Sequence, residues 1–364
     1  MTDKKSGIRL SRLTIKNYKK LESLEIDFPH PVMKGDADIL VFGSKNGGGK
    51  TSVLECCALL ILGGMVGYGR NWKFRDHELL WYIVNLLIKA GQSQANITGE
   101  FERNGKKYTL SFQINKNGFL NINDENDELA LFEGHYLNAV DSPLDSILSF
   151  SGEPLIIPPL LHFNSYRKIQ ESNPELGMMA DDYSAYRMEQ MSKPLGRHAT
   201  GNPVSSFKLE VLRSLMGRAS LFEGLKQDES ESVLSQLNSL IQRYCGGEIE
   251  QLQLLLDNKV DIRIKPCNGG KSFSFDGLSS GQKEIIATLF LIWKNTQEQP
   301  SIVLIDEPEL HLNAEWHGDF VRQLYKLAPQ NQYILATHSE EMFRSVDENY
   351  RAVLVPDDDN GILS

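Results

Sequence analysis

Apolar and polar positions alternate from residue 8 to residue 28, with a turn-like Lys-Asn-Tyr-Lys-Lys before Leu21, and this predicts an opening hairpin. Residues 39–42 are uniformly apolar, as a strand covered on both faces must be, and residues 52–62 have a helical, largely buried character. A glycine-rich stretch lies between them, so the local order is strand, loop, helix. Alternation returns at 95–102, 107–114 and 119–122. The first two of these runs are joined by Arg103-Asn-Gly-Lys106, whose Asn-Gly pair marks a tight hairpin turn. Residues 155–163 read as one strand that carries Pro158-Pro159.

The middle of the chain changes character. Residues 173–200 are Met-rich and polar, punctuated by Pro174, Pro194 and Gly196, and read as a mobile segment. Helical periodicity from 205 to 256 predicts two or three helices interrupted by Gly246-Gly247. Heptads are not sustained long enough for an extended coiled coil, and the chain contains no internal repeat. The last third alternates between helix (281–295 and 314–327) and apolar strand (302–305 and 333–336). That order implies a parallel sheet with helices on its faces, whose ligands bind at the carboxyl ends of the strands. The expected fold class is α/β, a mixed or parallel core with an antiparallel β lobe and a helical insert. Its expected divisions are 1–165, 166–275 and 276–364.

Composition narrows the function classes. The 364 residues are 41% hydrophobic and 24% charged, enough for a sizeable core in two domains or in one large domain with an insertion. A net charge of −10 argues against attraction to nucleic acid over the whole surface, and leaves room for DNA only in a local basic groove. Cys56, Cys57, Cys245 and Cys267 form neither a CxxC pair nor a metal-ligand spacing, and read as reduced cytosolic thiols. No apolar stretch follows the basic start MTDKKSGIRL, as a signal peptide would require. The run 79–88 includes Asn85 and falls well short of the about twenty residues a membrane span needs. These features predict a cytoplasmic protein with no membrane attachment.

The glycine-rich stretch is Val41-Phe-Gly-Ser-Lys-Asn-Gly-Gly-Gly-Lys-Thr-Ser52. A P-loop, G-x-x-x-x-G-K-[ST], wraps phosphate in backbone N–H groups, reaches it with Lys and binds Mg²⁺ through the hydroxyl. Here Ser44 stands where the first glycine belongs, with Gly43 displaced by one. The part that must approach phosphate is intact, and the helix dipole behind it favours an anion. A turn that binds nothing is the bland alternative, but Lys and Thr stand at the required spacing after an apolar strand. The candidate ATP-binding residues are Ser44, Lys45, Asn46, Gly47, Gly48, Gly49, Lys50, Thr51 and Ser52, with Thr51 also a ligand for Mg²⁺. Ile302-Val-Leu-Ile-Asp306-Glu307 supplies the matching strand: Asp306 for the metal and Glu307 as general base toward an attacking water.

Asp276-Gly-Leu-Ser-Ser-Gly-Gln-Lys283 resembles the LSGGQ signature of ABC-type ATPases, with Ser280 in place of the first glycine. Taken alone it is also a Ser-capped helix start. The resemblance implies that Ser279, Ser280, Gly281 and Gln282 cap, in trans, an ATP held by another copy. Leu335-Ala-Thr-His338-Ser339 is similar to the segment carrying that family's switch histidine, which makes His338 a second catalytic candidate. Glu309-Leu-His-Leu-Asn313 occupies the D-loop place, with Asn313 where many members have Asp. Tyr166-Arg-Lys-Ile-Gln170 resembles the Q-loop and would bring Gln170 to the metal, with Gln113 a competitor.

Each motif occurs once, so the resemblance implies a homodimer or higher oligomer. Leu13-Thr-Ile-Lys-Asn-Tyr-Lys-Lys, the Asn-Gly lobe and Asp-Glu-Pro-Glu-Leu-His-Leu are similar to the SMC/RecF/OLD branch. SMC heads carry long coiled coils and OLD enzymes a Toprim nuclease after the histidine; neither has a counterpart in this sequence. Asp357-Asp-Asp359 reads as a solvated end, and no paired-carboxylate metal motif stands outside the ATP site. The resemblance therefore implies an ATP-hydrolysing sensor or scaffold that controls a separate effector protein, a nuclease or toxin, in bacterial anti-phage defence. A RecF-like, ATP-gated clamp on DNA in repair is the alternative.

Overall fold

The computed structural model describes residues 7–31, 37–43, 47–66, 84–115, 118–122, 131–132, 154–167, 173–174, 205–216, 227–256, 259–354 and 362–363. The opening alternation folds as β1 (Arg9–Tyr18) and β2 (Leu21–Asp27). With β4 (Gln94–Arg103), β5 (Lys106–Asn115) and β6 (Gly118–Ile122) they form an antiparallel sheet of order β2-β1-β4-β5-β6. Asn104 and Gly105 sit at φ 55° and 73° in the β4–β5 turn, the conformation an Asn-Gly pair adopts readily.

The uniformly apolar strands make the second sheet. β3 (Asp38–Gly43), β8 (Leu160–Phe163), β12 (Ile302–Asp306), β13 (Gln332–Thr337) and β14 (Arg351–Leu354) run parallel, in the order β14-β3-β13-β12-β8. Antiparallel strands β7 (Leu155–Ile157) and β15 (Ile362–Leu363) finish its two edges. The carboxyl ends of β3, β12 and β13 therefore lie side by side, and everything that follows them in sequence meets at one rim.

Helix α1 (Lys50–Val66) lies between the two sheets, with Val53, Leu54, Cys56 to Leu62 and Met65 all buried. A helix apolar around its circumference needs such a sandwiched place. At the opposite rim, Gln332 joins the sheets: its side chain accepts from the Leu10 N–H (2.8 Å) and donates to the Leu10 carbonyl (2.7 Å). Arg9 and Asp38 add an ion pair of 2.6 Å beside it. On the other face of the parallel sheet pack α2 (Ser206–Met216), α3 (Gln227–Cys245), α4 (Ser280–Asn295) and α5 (His317–Leu327), sharing one core through Phe207, Leu237, Ile286, Phe290 and Phe320. No helix among the described residues is long and apolar enough to cross a membrane.

Two expectations need correction. Residues 155–163 are not one strand but the β7–β8 hairpin, because Pro158-Pro159 form its turn and a proline lacks the N–H a continuous ladder requires. Helical character does not run to residue 256. Gly246 at φ 66° ends α3, and Gly247–Leu254 is strand β9, paired with β10 (Val260–Pro266), which pairs in turn with β11 (Phe273–Ser274). The spacing of Ile249 and Leu252 imitates a helical face, but β10 offers the alternating apolar row Val260, Ile262, Ile264 beside it. The segment read as mobile, apart from 173–174, and the acidic run at 357–359 lie outside the described residues.

Candidate functional site

Three strand ends supply the site. β3 leads into the glycine loop, of which Gly47, Gly48 and Gly49 are described, while Ser44, Lys45 and Asn46 lie outside the described residues. Gly47 and Gly49 both take φ 86°, so the loop needs glycine there for its backbone. Lys50, 5% exposed, opens α1. Burial lowers its pKa against the pull of Glu307, Asp306 and Glu309, which keep a cation favourable.

β12 ends in the two carboxylates. Asp306 is 1% exposed and its Oδ2 accepts from the Thr51 hydroxyl at 2.9 Å. Its Oδ1 is buried without a hydrogen-bond partner, and burial pushes the carboxyl up to about 6. A dry carboxylate with an orphaned oxygen beside a threonine hydroxyl is a donor set that suits a hard divalent cation such as Mg²⁺. Glu307 follows at φ 46°, a left-handed conformation uncommon outside glycine. Its side chain meets His338, which follows β13: Glu307 Oε1 is 3.3 Å from His338 Nε2, and His338 Nδ1 is 3.4 Å from Lys50 Nζ.

Lys50, Thr51, Glu307 and His338 line one cavity of about 880 Å³, bounded by Gly47 to Ser52, Glu307 and His338 on the inner side. The opposite wall, none of whose residues is a site candidate from sequence, comprises Lys19, Lys20, Asn85, Leu86, Ile88 and Ala90. Two backbone hydrogen bonds hold that wall together, Lys19 N–H to Leu87 C=O (2.7 Å) and Lys89 N–H to Asn17 C=O (2.8 Å). Its sequence trace is the Asn-Tyr-Lys-Lys turn, which reads as a hairpin turn and as part of the family resemblance, with no site role attached to Lys19 or Lys20. Lys19 also reaches Glu55 of α1 at 2.5 Å.

The signature residues sit elsewhere. None of Ser279, Ser280, Gly281 and Gln282 is among the cavity's lining residues. Ser279 caps α4 in a reciprocal box: its Oγ accepts from the Gln282 N–H at 3.3 Å and its own N–H donates to Gln282 Oε1 at 3.0 Å. Gln282 also donates to the Tyr244 carbonyl at 3.0 Å, so its amide works within the chain. Ser279 and Ser280 are exposed. Gly281 is buried, and a Cβ there would lie 2.2 Å from the carbonyl oxygen of His311 in the turn after β12. Asn313 is exposed and accepts from the Glu315 N–H at 3.4 Å, capping a short 3₁₀ turn. Gln170 lies outside the described residues. Gln113 stays in the antiparallel sheet, where it donates to Asn96 Oδ1 at 3.1 Å, and it is not among the cavity's lining residues.

Two further residues near the site had no assigned role. Glu309 binds the backbone of the histidine segment, and Arg167, inside the stretch read as a Q-loop, binds the carbonyls of Asp306 and Glu307. Their only sequence signals were a second acidic residue after Asp-Glu-Pro and an arginine just beyond a buried strand.

A family described as "AAA domain, putative AbiEii toxin, Type IV TA system" matches residues 45–343. Over 93% of its length the chain is 22% identical to "Retron Vc95 probable ATPase" of Vibrio cholerae serotype O1 biovar El Tor, covering 72% of that protein. It is 21% identical over 93% of its length to "Retron Ec83 probable ATPase" of Escherichia coli, covering 70% of it. A shorter match of 30% identity joins 27% of the chain to 28% of "Septu protein PtuA" of Bacillus thuringiensis. Among solved structures, an SMC head bound to the C-terminal winged-helix domain of ScpA superposes with a TM-score of 0.52, at 13% identity, over 94% of each chain. The chain belongs to this AAA domain family and has the α/β fold of the SMC/RecF/OLD branch of ABC-type ATPases.

Proposed function

We propose that the chain binds and hydrolyses ATP as a homodimer, and that the dimer's state controls a separate effector in anti-phage defence. The observation that carries this reading is the meeting of Lys50, Glu307 and His338 at one cavity whose lining includes no signature residue. The glycine loop and Lys50 would hold the triphosphate, with Thr51 and Asp306 as the groups for Mg²⁺, which supplies charge neutralisation to the phosphates when bound. Glu307 accepts the proton of the attacking water, and His338, between Glu307 and Lys50, stands by the oxygens where charge develops. The exposed Ser279 and Ser280 at the α4 N-terminus would complete the cage from a second copy, across a two-fold axis.

The biological part rests on kinship. The long matches are named as ATPases of retrons and the short one as a Septu protein, which supports a place beside an effector gene. Glu307→Gln tests the core of the proposal. It should retain ATP and give an ATP-dependent dimer by light scattering, with turnover lowered at least about a hundredfold. Unchanged turnover would remove Glu307 from catalysis, and a monomer at saturating ATP would remove the dimer. Co-purification with the product of the adjacent gene would support effector control; tight, salt-sensitive duplex binding without such a partner would favour the DNA clamp.

A further inference from the structure

Arg167 connects two parts of the molecule that are far apart in sequence. It follows the end of β8 and is 6% exposed. Its guanidinium donates to three main-chain carbonyls, those of Asn164 (3.0 Å), Asp306 (2.5 Å) and Glu307 (2.9 Å). The same group forms an ion pair with Glu284, itself only 7% exposed, on the first turns of α4. Burial raises the Glu284 carboxyl and Arg167 pulls it back. A buried ion pair adds little net stability over a well-packed apolar pair, so stability alone is a weak reason for this one. What the pair does provide is geometry. Glu307 holds φ 46°, a left-handed conformation that is strained for a non-glycine residue, and one arm of the arginine fork holds the carbonyl of that same residue. Through its Nε the same guanidinium pairs with Glu284 on the helix whose N-terminus carries Ser279 and Ser280.

We propose that Arg167 is a positioning residue: it holds the Glu307 backbone in its left-handed turn and, through Glu284, ties it to the signature helix of the same chain. The proposal rests on the ATPase reading above. Movement of α4 when its N-terminus engages a partner's nucleotide is then felt directly at Glu307, so each copy's own hydrolysis depends on what its signature touches. Lysine cannot replace arginine here, because only the planar fork addresses several carbonyls and a carboxylate together.

The test compares Arg167→Lys, Glu284→Gln and the double variant in the full chain, measuring steady-state ATP hydrolysis, equilibrium binding of a fluorescent ATP analogue, and melting temperature. Arg167→Lys should lower kcat about thirtyfold to a hundredfold with nucleotide affinity within about threefold, as expected for a displaced reacting group. Glu284→Gln should lower kcat about tenfold with the same split, and the double variant should be no worse than Arg167→Lys, because both residues serve one connection. An unchanged kcat, a loss of binding that matches the loss of kcat, or losses that multiply would each overturn the proposal. Should Arg167→Lys fail to fold, the near-isosteric Glu284→Gln decides by the same split between kcat and affinity. An unsubstituted chain that hydrolyses no ATP would refute the ATPase reading itself. One that hydrolyses ATP and is indifferent to both substitutions would refute this proposal alone.

Discussion

Glu309 accepts a hydrogen bond from the backbone N–H of His338 at 2.5 Å, and its second oxygen accepts from the Thr337 hydroxyl at 2.7 Å. The turn after β12 and the segment after β13 are thus one unit, in which Glu309 sets where His338 stands relative to Glu307 and Lys50. Thr337 passes the constraint on, since its Oγ1 accepts from the Ser339 N–H at 2.9 Å.

Glu309→Gln should therefore impair hydrolysis without removing any group that touches phosphate. The amide replaces one of two acceptors with a donor, so either the His338 N–H faces a donor or the Thr337 hydroxyl must give up the bond it donates, a cost of about 1–3 kcal/mol where the donor is buried. We expect kcat to fall about tenfold and ATP affinity to stay within about threefold. Steady-state kinetics beside equilibrium nucleotide binding decide it; equal losses in both would mean that the loop as a whole had collapsed.

Gly281 separates a steric role from a chemical one. A methyl group there would lie 2.2 Å from the His311 carbonyl oxygen, which is backbone held by the Leu310 and Leu312 N–H bonds around it. Gly281→Ala must push α4 away from that turn, and overpacking of this kind costs about 1–3 kcal/mol. A melting temperature lowered by several degrees, together with loss of hydrolysis and preserved ATP binding, is the expected result. A variant as stable and as active as the unsubstituted chain would show that α4 shifts freely.

Much of this arrangement could be read from the sequence, and the reason differs between elements. Residues 39–42 and 302–305 were legible because a strand buried on both faces permits almost nothing but apolar residues. That the glycine loop and Asp306-Glu307 lie at neighbouring strand ends was legible because a parallel sheet gathers the carboxyl ends of its strands at one rim. β9 was misread, since it carries Glu248, Glu250, Gln251 and Gln253 and its apolar residues Ile249, Leu252 and the exposed Leu254 do not keep a strict alternation. Arg167 and Glu309 went unassigned for a different reason. Both act on main-chain atoms of distant segments, Arg167 on a carbonyl 139 residues away at Asp306 and Glu309 on an N–H 29 residues away at His338, and a main-chain partner has no sequence signature.

Asp306 gives a pH dependence with a definite sign. Burial raises its carboxyl to about 6, so between about pH 4 and 6 the metal-free folded chain keeps a proton that the unfolded chain has released. Stability from this residue therefore falls as pH rises through that window and is level above it. His162 opposes it: burial lowers its imidazole to about 4, so its contribution falls as pH drops from about 6.5 toward 4. The two partly cancel in the raw melting profile, and the informative quantity is a difference. The melting temperature of Asp306→Asn minus that of the unsubstituted chain, without Mg²⁺, should rise from pH 4 to pH 6 and then stay constant. A difference that is flat across this range would mean that Asp306 is ionised as readily in the folded chain as in the unfolded one.

The placement of Ser279 and Ser280 outside their own chain's cavity has a consequence that mixing can expose. Lys50→Ala disables the loop of the chain that carries it, while Ser280→Arg disables only the site that its signature would complete on a partner. Each variant alone forms dimers with two defective sites and should hydrolyse almost no ATP. In a mixed dimer one site combines both defects, and the other joins an intact glycine loop to an intact signature. Equal mixing makes about half of the dimers mixed, each with one good site, so activity should return to about a quarter of that of the unsubstituted protein in a two-fold assembly. The measurement is hydrolysis by the equimolar mixture after incubation long enough for subunit exchange, verified by fluorescence transfer between labelled copies. Exchange without any recovery would place each signature on its own chain's nucleotide, or leave it without a nucleotide at all, and the exposed α4 N-terminus would then need another role.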